Sequence, residues 1–236
     1  MKTKEIPFAW DRNFPAVCGH TSISFLTQSA DFYRAKHGDL LAAKNIVTDC
    51  IKAQRLTELR HRYPHAELLP VMTENKLPIV FAQTIGLRIC GSISACGGGA
   101  RKHMNAMERL LCQPLFIGRV KSKTDYIIVD DIVTQGGTVG ALRKHILTGG
   151  GRVVAVTALA YALGSKTLAP TVKNICCLEK KFGYKQIRFV LQKYLSIKNP
   201  NELTNSQVLY LLRFNGIDGI IKKIDAILLQ RRDNFR

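Results

Sequence analysis

Apolar positions along the chain change period several times, and each change marks an element. From Asp31 to about Tyr63 they recur at helical spacing in two stretches, 39–53 and 54–62, where Leu40, Leu41, Ile46, Val47, Ile51 and Leu56 stand among charged residues. Pro64 closes this region, because a proline pushes the residue before it out of the helical range. The short apolar run 67–72 ends in Thr73-Glu74-Asn75-Lys76, and Leu77-Pro78 then opens an apolar stretch to Ile85, with proline where a helix start accepts it. The order predicted is strand, loop, helix. After Gly86, 87–93 reads as a second strand, and Gly97-Gly98-Gly99 within 95–102 is too flexible for the interior of an element and predicts a mobile loop. Residues 126–129 are β-branched and aromatic, short enough for a buried strand, and 139–148 return to helical spacing until Gly149-Gly150-Gly151 stops them. Residues 153–159 supply another buried strand. Strands alternating with helices predict a parallel sheet with right-handed crossovers, an α/β fold.

The two ends read differently. Residues 1–30 mix aromatic side chains with Pro7, Pro15 and Gly19 without a period, as an irregular leader or the start of a small cap. Beyond about Thr171 the chain becomes Lys-rich and helical. Thr204 with Gln207 three residues on fits a capping box, and Leu209, Leu212, Ile217, Ile220, Ile221, Ile224, Ile227 and Leu228 follow at three- and four-residue intervals. They predict one or two amphipathic helices broken near Gly216. Three parts are expected: an N-terminal cap over 1–63, an α/β core over 64–170 and a basic helical extension over 171–236.

Composition narrows the class. With 46% hydrophobic and 22% charged residues, the chain can bury a core and global disorder is excluded. No run of about 18 apolar residues is present, and Met1-Lys2-Thr3-Lys4-Glu5 leads into Pro7 and Trp10 instead of an apolar signal core, so a cytoplasmic protein without a membrane partner is expected. The seven cysteines are scattered and never spaced Cys-x-x-Cys, which argues for reduced thiols over a disulfide framework or a zinc ribbon. His20, His37, His61, His65 and His145 lack ligand spacing. The 35 Lys and Arg against 17 Asp and Glu give a formal charge of +18, a field that attracts polyanions, either nucleic acid or phosphorylated metabolites. A plain basic surface has the same composition.

The segment 126–148 carries the chemistry. A buried strand ends in Asp130 and Asp131, and the chain turns through Thr134, Gln135, Gly136 and Gly137 into a helix beginning near Thr138. Glycines let backbone N–H groups face an anion and a helix N-terminus adds a favourable field, so the turn can cradle a phosphate, helped by the Thr134 and Thr138 hydroxyls. Acids beside a phosphate cradle are repulsive unless they face sugar hydroxyls or a metal ion. A phosphorylated sugar satisfies both halves, at the carboxyl end of a parallel strand where open α/β sheets bind ligands.

Val129-Asp130-Asp131-Ile132-Val133-Thr134-Gln135-Gly136-Gly137-Thr138 closely resembles the phosphoribosyl pyrophosphate (PRPP) signature of type I phosphoribosyltransferases: apolar residues, two acids, then Thr-x-Gly-Gly-Thr. The resemblance implies the type I phosphoribosyltransferase fold, a largely parallel sheet flanked by helices, here with an N-terminal cap and a helical C-terminal extension. It implies that 134–138 hold the 5-phosphate and that Asp130 and Asp131, the catalytic pair, hold the ribose 2- and 3-hydroxyls. Gln135 departs from the small residue usual there. By the same resemblance, Thr73, Glu74, Asn75 and Lys76 stand where the family binds pyrophosphate, although the Gly common in that loop is missing, and a plain surface turn is the other reading. A loop over 94–113 would close on the site with Arg101, Lys102 and His103 toward the departing diphosphate, unless these three are a solvated basic patch. Lys36-His37-Gly38-Asp39-Leu40-Leu41-Ala42-Ala43 and 105–116 resemble the ComF-type competence proteins, whose usual zinc ribbon has no counterpart in this sequence.

The implied reaction displaces pyrophosphate from PRPP by a nitrogenous base or amine, with Mg²⁺ held largely by substrate and water, as in nucleotide metabolism; a homodimer is a further expectation. The alternative from another class is a catalytically weak PRPP- or nucleotide-responsive binding protein associated with nucleic acid through its basic tail. Against that, the tail's regular apolar stripe also suits a helical pair capping the sheet. Other phosphate enzymes on doubly wound folds are disfavoured, since neither Gly-x-x-x-x-Gly-Lys-Ser/Thr nor Gly-x-Gly-x-x-Gly occurs.

Overall fold

A computed structural model describes residues 8–72, 74–96 and 104–233. In chain order the elements are β1 (Cys18–Gly19), α1 (Ile23–Gln28), α2 (Ala30–Lys36), α3 (Leu40–Cys50), α4 (Ala53–Arg62), β2 (Glu67–Pro70), α5 (Leu77–Ile85), β3 (Ile93–Cys96), α6 (Ala106–Leu111), β4 (Leu115–Gly118), β5 (Asp125–Val133), α7 (Gly137–Thr148), β6 (Arg152–Tyr161), α8 (Val172–Phe182), α9 (Tyr184–Leu195), α10 (Asn205–Leu211) and α11 (Ile217–Asp233). β1, β6, β5 and β2 form one parallel sheet in that order, with a single parallel bridge from Leu68 to Ile89 extending it beyond β2. The fold is therefore α/β with a parallel sheet between helical layers.

Alternation along β5 explains the layers. Ile127 and Val129 point into a cluster with Phe32, Ile46, Leu77 and Phe81 from α2, α3 and α5, while Tyr126 and Ile128 point the other way to Val139, Leu142 and Ile146 of α7. Both faces are covered, which is why the strand reads as a continuous apolar run. The leader packs on α7: the buried Arg143 donates to the carbonyls of Phe8 at 2.8 Å and Ala9 at 2.7 Å and lies 4.4 Å over the Trp10 ring. A third cluster joins Met107 and Leu110 of α6 to Ile175, Leu178, Ile187, Leu191, Leu211 and Ile224 of α8–α11. The tail is thus a helical layer packed against α6.

Two expectations meet a different structure. The leader hides β1, which is too short to show a period. Residues 87–93 are not one strand: a single bridge at Ile89 is followed by Gly91, and β3 starts at Ile93 as half of an antiparallel hairpin with β4. Ser92 makes the turn-out, its hydroxyl donating to the Arg119 carbonyl at 2.9 Å. The capping box at the start of α10 forms, with the Gln207 N–H donating to the Thr204 hydroxyl at 3.3 Å and the Thr204 N–H to the Gln207 side chain at 2.8 Å. Among the described residues, no helix is long and apolar enough to cross a membrane.

Candidate functional site

The turn between β5 and α7 is held from outside. The Ser165 hydroxyl donates to the Thr134 carbonyl and the Thr204 hydroxyl to the Gln135 carbonyl, and Ser165 is itself 2.8 Å from the Ser206 hydroxyl. All described peptides are trans, so a carbonyl turned outward turns the N–H of the same unit inward. The N–H groups of Gln135 and Gly136 therefore face away from Ser165 and Thr204, on the side of a cavity of about 430 Å³ lined by Asp130, Asp131 and 132–139. The first turn of α7 opens into the same space, adding its unpaired N–H groups and the positive end of its dipole.

One glycine is required here and a second is closely packed. Gly136 adopts φ +71°, and a Cβ on it would come within 2.8 Å of Leu168 and 3.1 Å of Thr204. A Cβ on Gly137 would lie 2.8 Å from the Gln113 side-chain oxygen. Leu168 and Thr204 thus pack closely against the turn at Gly136, and the end of the Gln113 side chain at Gly137.

The acids stand at the carboxyl end of β5, each 7% exposed. Asp131 accepts from the Ile132 N–H at 2.8 Å through one oxygen, and from Asn75 Nδ2 at 2.9 Å and Lys36 Nζ at 3.0 Å through the other. Asp130 accepts from the Asp131 N–H at 2.9 Å. Burial, and then the neighbouring Asp131 charge, hold the Asp130 carboxyl well above the usual carboxylate range. With its proton affinity raised, Asp130 beside the ion-paired Asp131 sets a candidate donor next to an acceptor.

The structure brings Asp130, Asp131, Thr134, Gln135, Gly136, Gly137, Thr138, Glu74 and Asn75 around one cavity. Lys76 does not line it; its N–H donates to the Ala35 carbonyl at 3.2 Å, tying this loop to the end of α2. Thr73, Arg101, Lys102 and His103 lie outside the described residues, as does Gly97-Gly98-Gly99. Lys36 and Arg109 also line the cavity, and both were missed from sequence. Lys36 ends α2, ninety-five positions before its partner Asp131, and nothing local in the sequence signals that pairing. Ser165 and Thr204, which pin the turn, were likewise invisible as site residues. No group of three or more His, Cys, Asp or Glu side chains that could hold a metal ion occurs among the described residues.

No protein-family model matches the chain. Among curated proteins it is 30% identical over 182 residues to Protein TraN of Escherichia coli, covering 72% of this chain and 41% of that protein. It is 24% identical over 155 residues to an uncharacterized protein of Haemophilus influenzae, covering 58% of this chain and 33% of that one. The matches thus span less than half the length of these relatives. Among solved structures it is similar to adenine phosphoribosyltransferase from Rhodothermus marinus, at 11% identity over 60% of this chain and 85% of that one, with a TM-score of 0.34. Purine phosphoribosyltransferase from Pyrococcus horikoshii is similar at 15% identity over 45% and 67%, with a TM-score of 0.32.

Proposed function

We propose that the chain is a phosphoribosyltransferase, binding PRPP with Mg²⁺ in the cavity at the end of β5 and transferring the phosphoribosyl group to a nitrogenous base or amine. The observation that carries this reading is the orientation of the 134–137 turn: its carbonyls are taken up by Ser165 and Thr204 behind it, and its N–H groups are left for an anion beside two acids. A phosphate at the cradle and a diol at the acids belong to one ligand, a 5-phosphorylated ribose. The donor set suits Mg²⁺ in the manner of phosphate enzymes, one or two carboxylates completed by substrate oxygens and water, which needs no cluster of protein ligands. When bound, the ion would neutralise charge on the departing pyrophosphate.

The remaining steps belong to the chain. The cradle and the first turn of α7 fix the 5-phosphate, so the sugar is oriented before bond breaking. Asp131, aligned by Lys36 and Asn75, accepts from a ribose hydroxyl, and Asp130, whose proton affinity burial raises, meets the other. Negative charge from Asp131 lies beside a sugar ring that becomes positive as its anomeric C–O bond lengthens. Arg109, which lines the cavity, supplies a cation for the phosphate-bearing ligand. The nitrogen nucleophile forms the new C–N bond as pyrophosphate leaves with the bonding pair.

A second reading has its own observation. One Asp131 oxygen is already engaged by both Lys36 and Asn75, so a sugar must share it. That suits a PRPP-responsive binding protein with little transfer activity. Pyrophosphate release from PRPP and Mg²⁺ over a panel of bases and amines separates the two: release dependent on one acceptor identifies the transferase, and saturable PRPP binding without release identifies the sensor.

A further inference from the structure

We propose that α9, with the adjacent face of α8, is a docking surface for single-stranded nucleic acid, separate from the cavity. Between 171 and 198 the chain has seven Lys and Arg and one acid, Glu179. That acid is engaged, with its carboxylate 3.3 Å from the Arg188 guanidinium. The exposed side of these two helices therefore presents positive charge with no free carboxylate.

α9, which carries three of these seven cations, has its apolar side already occupied. Ile187, Val190 and Leu191 are buried in the tail cluster. On the opposite side Lys185, Phe189 and Lys193 follow at four-residue steps, about one helical turn apart, and all three are exposed. Phe189 is 62% exposed and Tyr184, at the start of the helix, 55%. Cations lie over both rings: the Arg188 guanidinium is 4.1 Å from the centre of Tyr184, and the Lys193 ammonium 5.7 Å from that of Phe189.

Aromatic rings left open to water and interleaved with cations are what a single strand uses, its bases stacking on the rings and its phosphates meeting the cations. A duplex keeps its bases from such rings. A membrane surface would require the apolar stripe that the tail cluster already buries. None of these residues lines the cavity, so the inference does not depend on the PRPP reading.

The test measures anisotropy of a fluorescein-labelled oligothymidylate titrated with the full chain over a salt series. Tyr184→Ala/Phe189→Ala should weaken binding about tenfold or more at every salt concentration, whereas Tyr184→Trp/Phe189→Trp retains it. Lys185→Gln/Lys193→Gln should reduce the slope of log K against log salt by about 1.4, roughly 0.7 for each phosphate that a lysine no longer neutralises. The rings are exposed, and thermal unfolding of each variant verifies the fold. Wild-type protein that does not bind oligothymidylate at low salt overturns the proposal. So does undiminished binding by the alanine variant, or equal competition by duplex DNA, heparin or anionic vesicles, which would identify a general polyanion surface.

Discussion

Glu67 and Asp130 are buried to a similar degree, at 5% and 7% exposed, on neighbouring parallel strands, yet their surroundings differ in kind. Glu67 opens β2 at the amino end of the sheet, where one oxygen meets Lys121 at 2.6 Å and Arg88 at 3.4 Å. Asp130 stands near the carboxyl end of β5, where two acids share one ion-paired lysine, Lys36, among the described residues. Two cations on one oxygen more than offset the Glu67 charge, while its other oxygen is buried without a hydrogen-bond partner. With two adjacent acids and one ion-paired lysine, burial and then the Asp131 charge raise the proton affinity of Asp130. Burial alone therefore does not set how a carboxylate titrates; the charges around it do as well.

The comparison can be broken at the cradle first. Gly136→Ala forces a side chain into left-handed backbone against Leu168 and Thr204, and should cost about 3 kcal/mol in urea unfolding together with loss of PRPP binding. A tolerated alanine would mean that the turn is not pinned as described. Lys36→Met removes the cation paired with Asp131 and should cost about 2 kcal/mol at neutral pH while weakening PRPP binding, since the pair is mostly enclosed. Glu67→Gln is the control at the other end. Its partners Lys121 and Arg88 have side chains 47% and 74% exposed and can turn to water, so about 1 kcal/mol and unchanged PRPP affinity are expected. If Lys36→Met and Glu67→Gln affect PRPP affinity alike, the two ends are not different in kind.

The smallest effect concerns pH. A carboxyl whose folded pKa is raised adds stability that is fully present below its ordinary range, near pH 4, and is lost as pH rises through the raised value. Asp130→Asn does not titrate but keeps an oxygen for the Asp131 N–H. The melting temperature of the variant relative to wild type should therefore climb from pH 4 toward neutrality. Parallel profiles would place the retained proton elsewhere.

Much of this was legible where local physics decides it. The acids, threonines and glycines at 130–138 marked a strand end and a turn into a helix, and β5, α7 and β6 fall where apolar runs and glycine stops put them. Helices α10 and α11 separate near Gly216 as their spacing required. What was not legible is long-range. Lys36 meets Asp131 because α2 and the 74–76 loop pack together, and Thr204 reaches the Gln135 carbonyl because the tail folds back on the turn. Neither residue type carries a local mark of its partner. The hairpin of β3 and β4 was lost for another reason, since its strands are four residues long and its outer side exposes Leu115 and Ile117, giving no alternation to read.

The central claim is that the cradle and the acids bind one ligand. Calorimetric titration of PRPP with Mg²⁺ into wild type and into Asp130→Asn/Asp131→Asn at neutral pH tests it most directly. Saturable binding to the wild type is expected, weakened at least about tenfold in a variant that remains folded, since hydrogen bonds to charged groups are each worth about 1.5–3 kcal/mol. Wild-type protein that is folded and takes up no PRPP, or a variant that binds it equally well, would contradict the account.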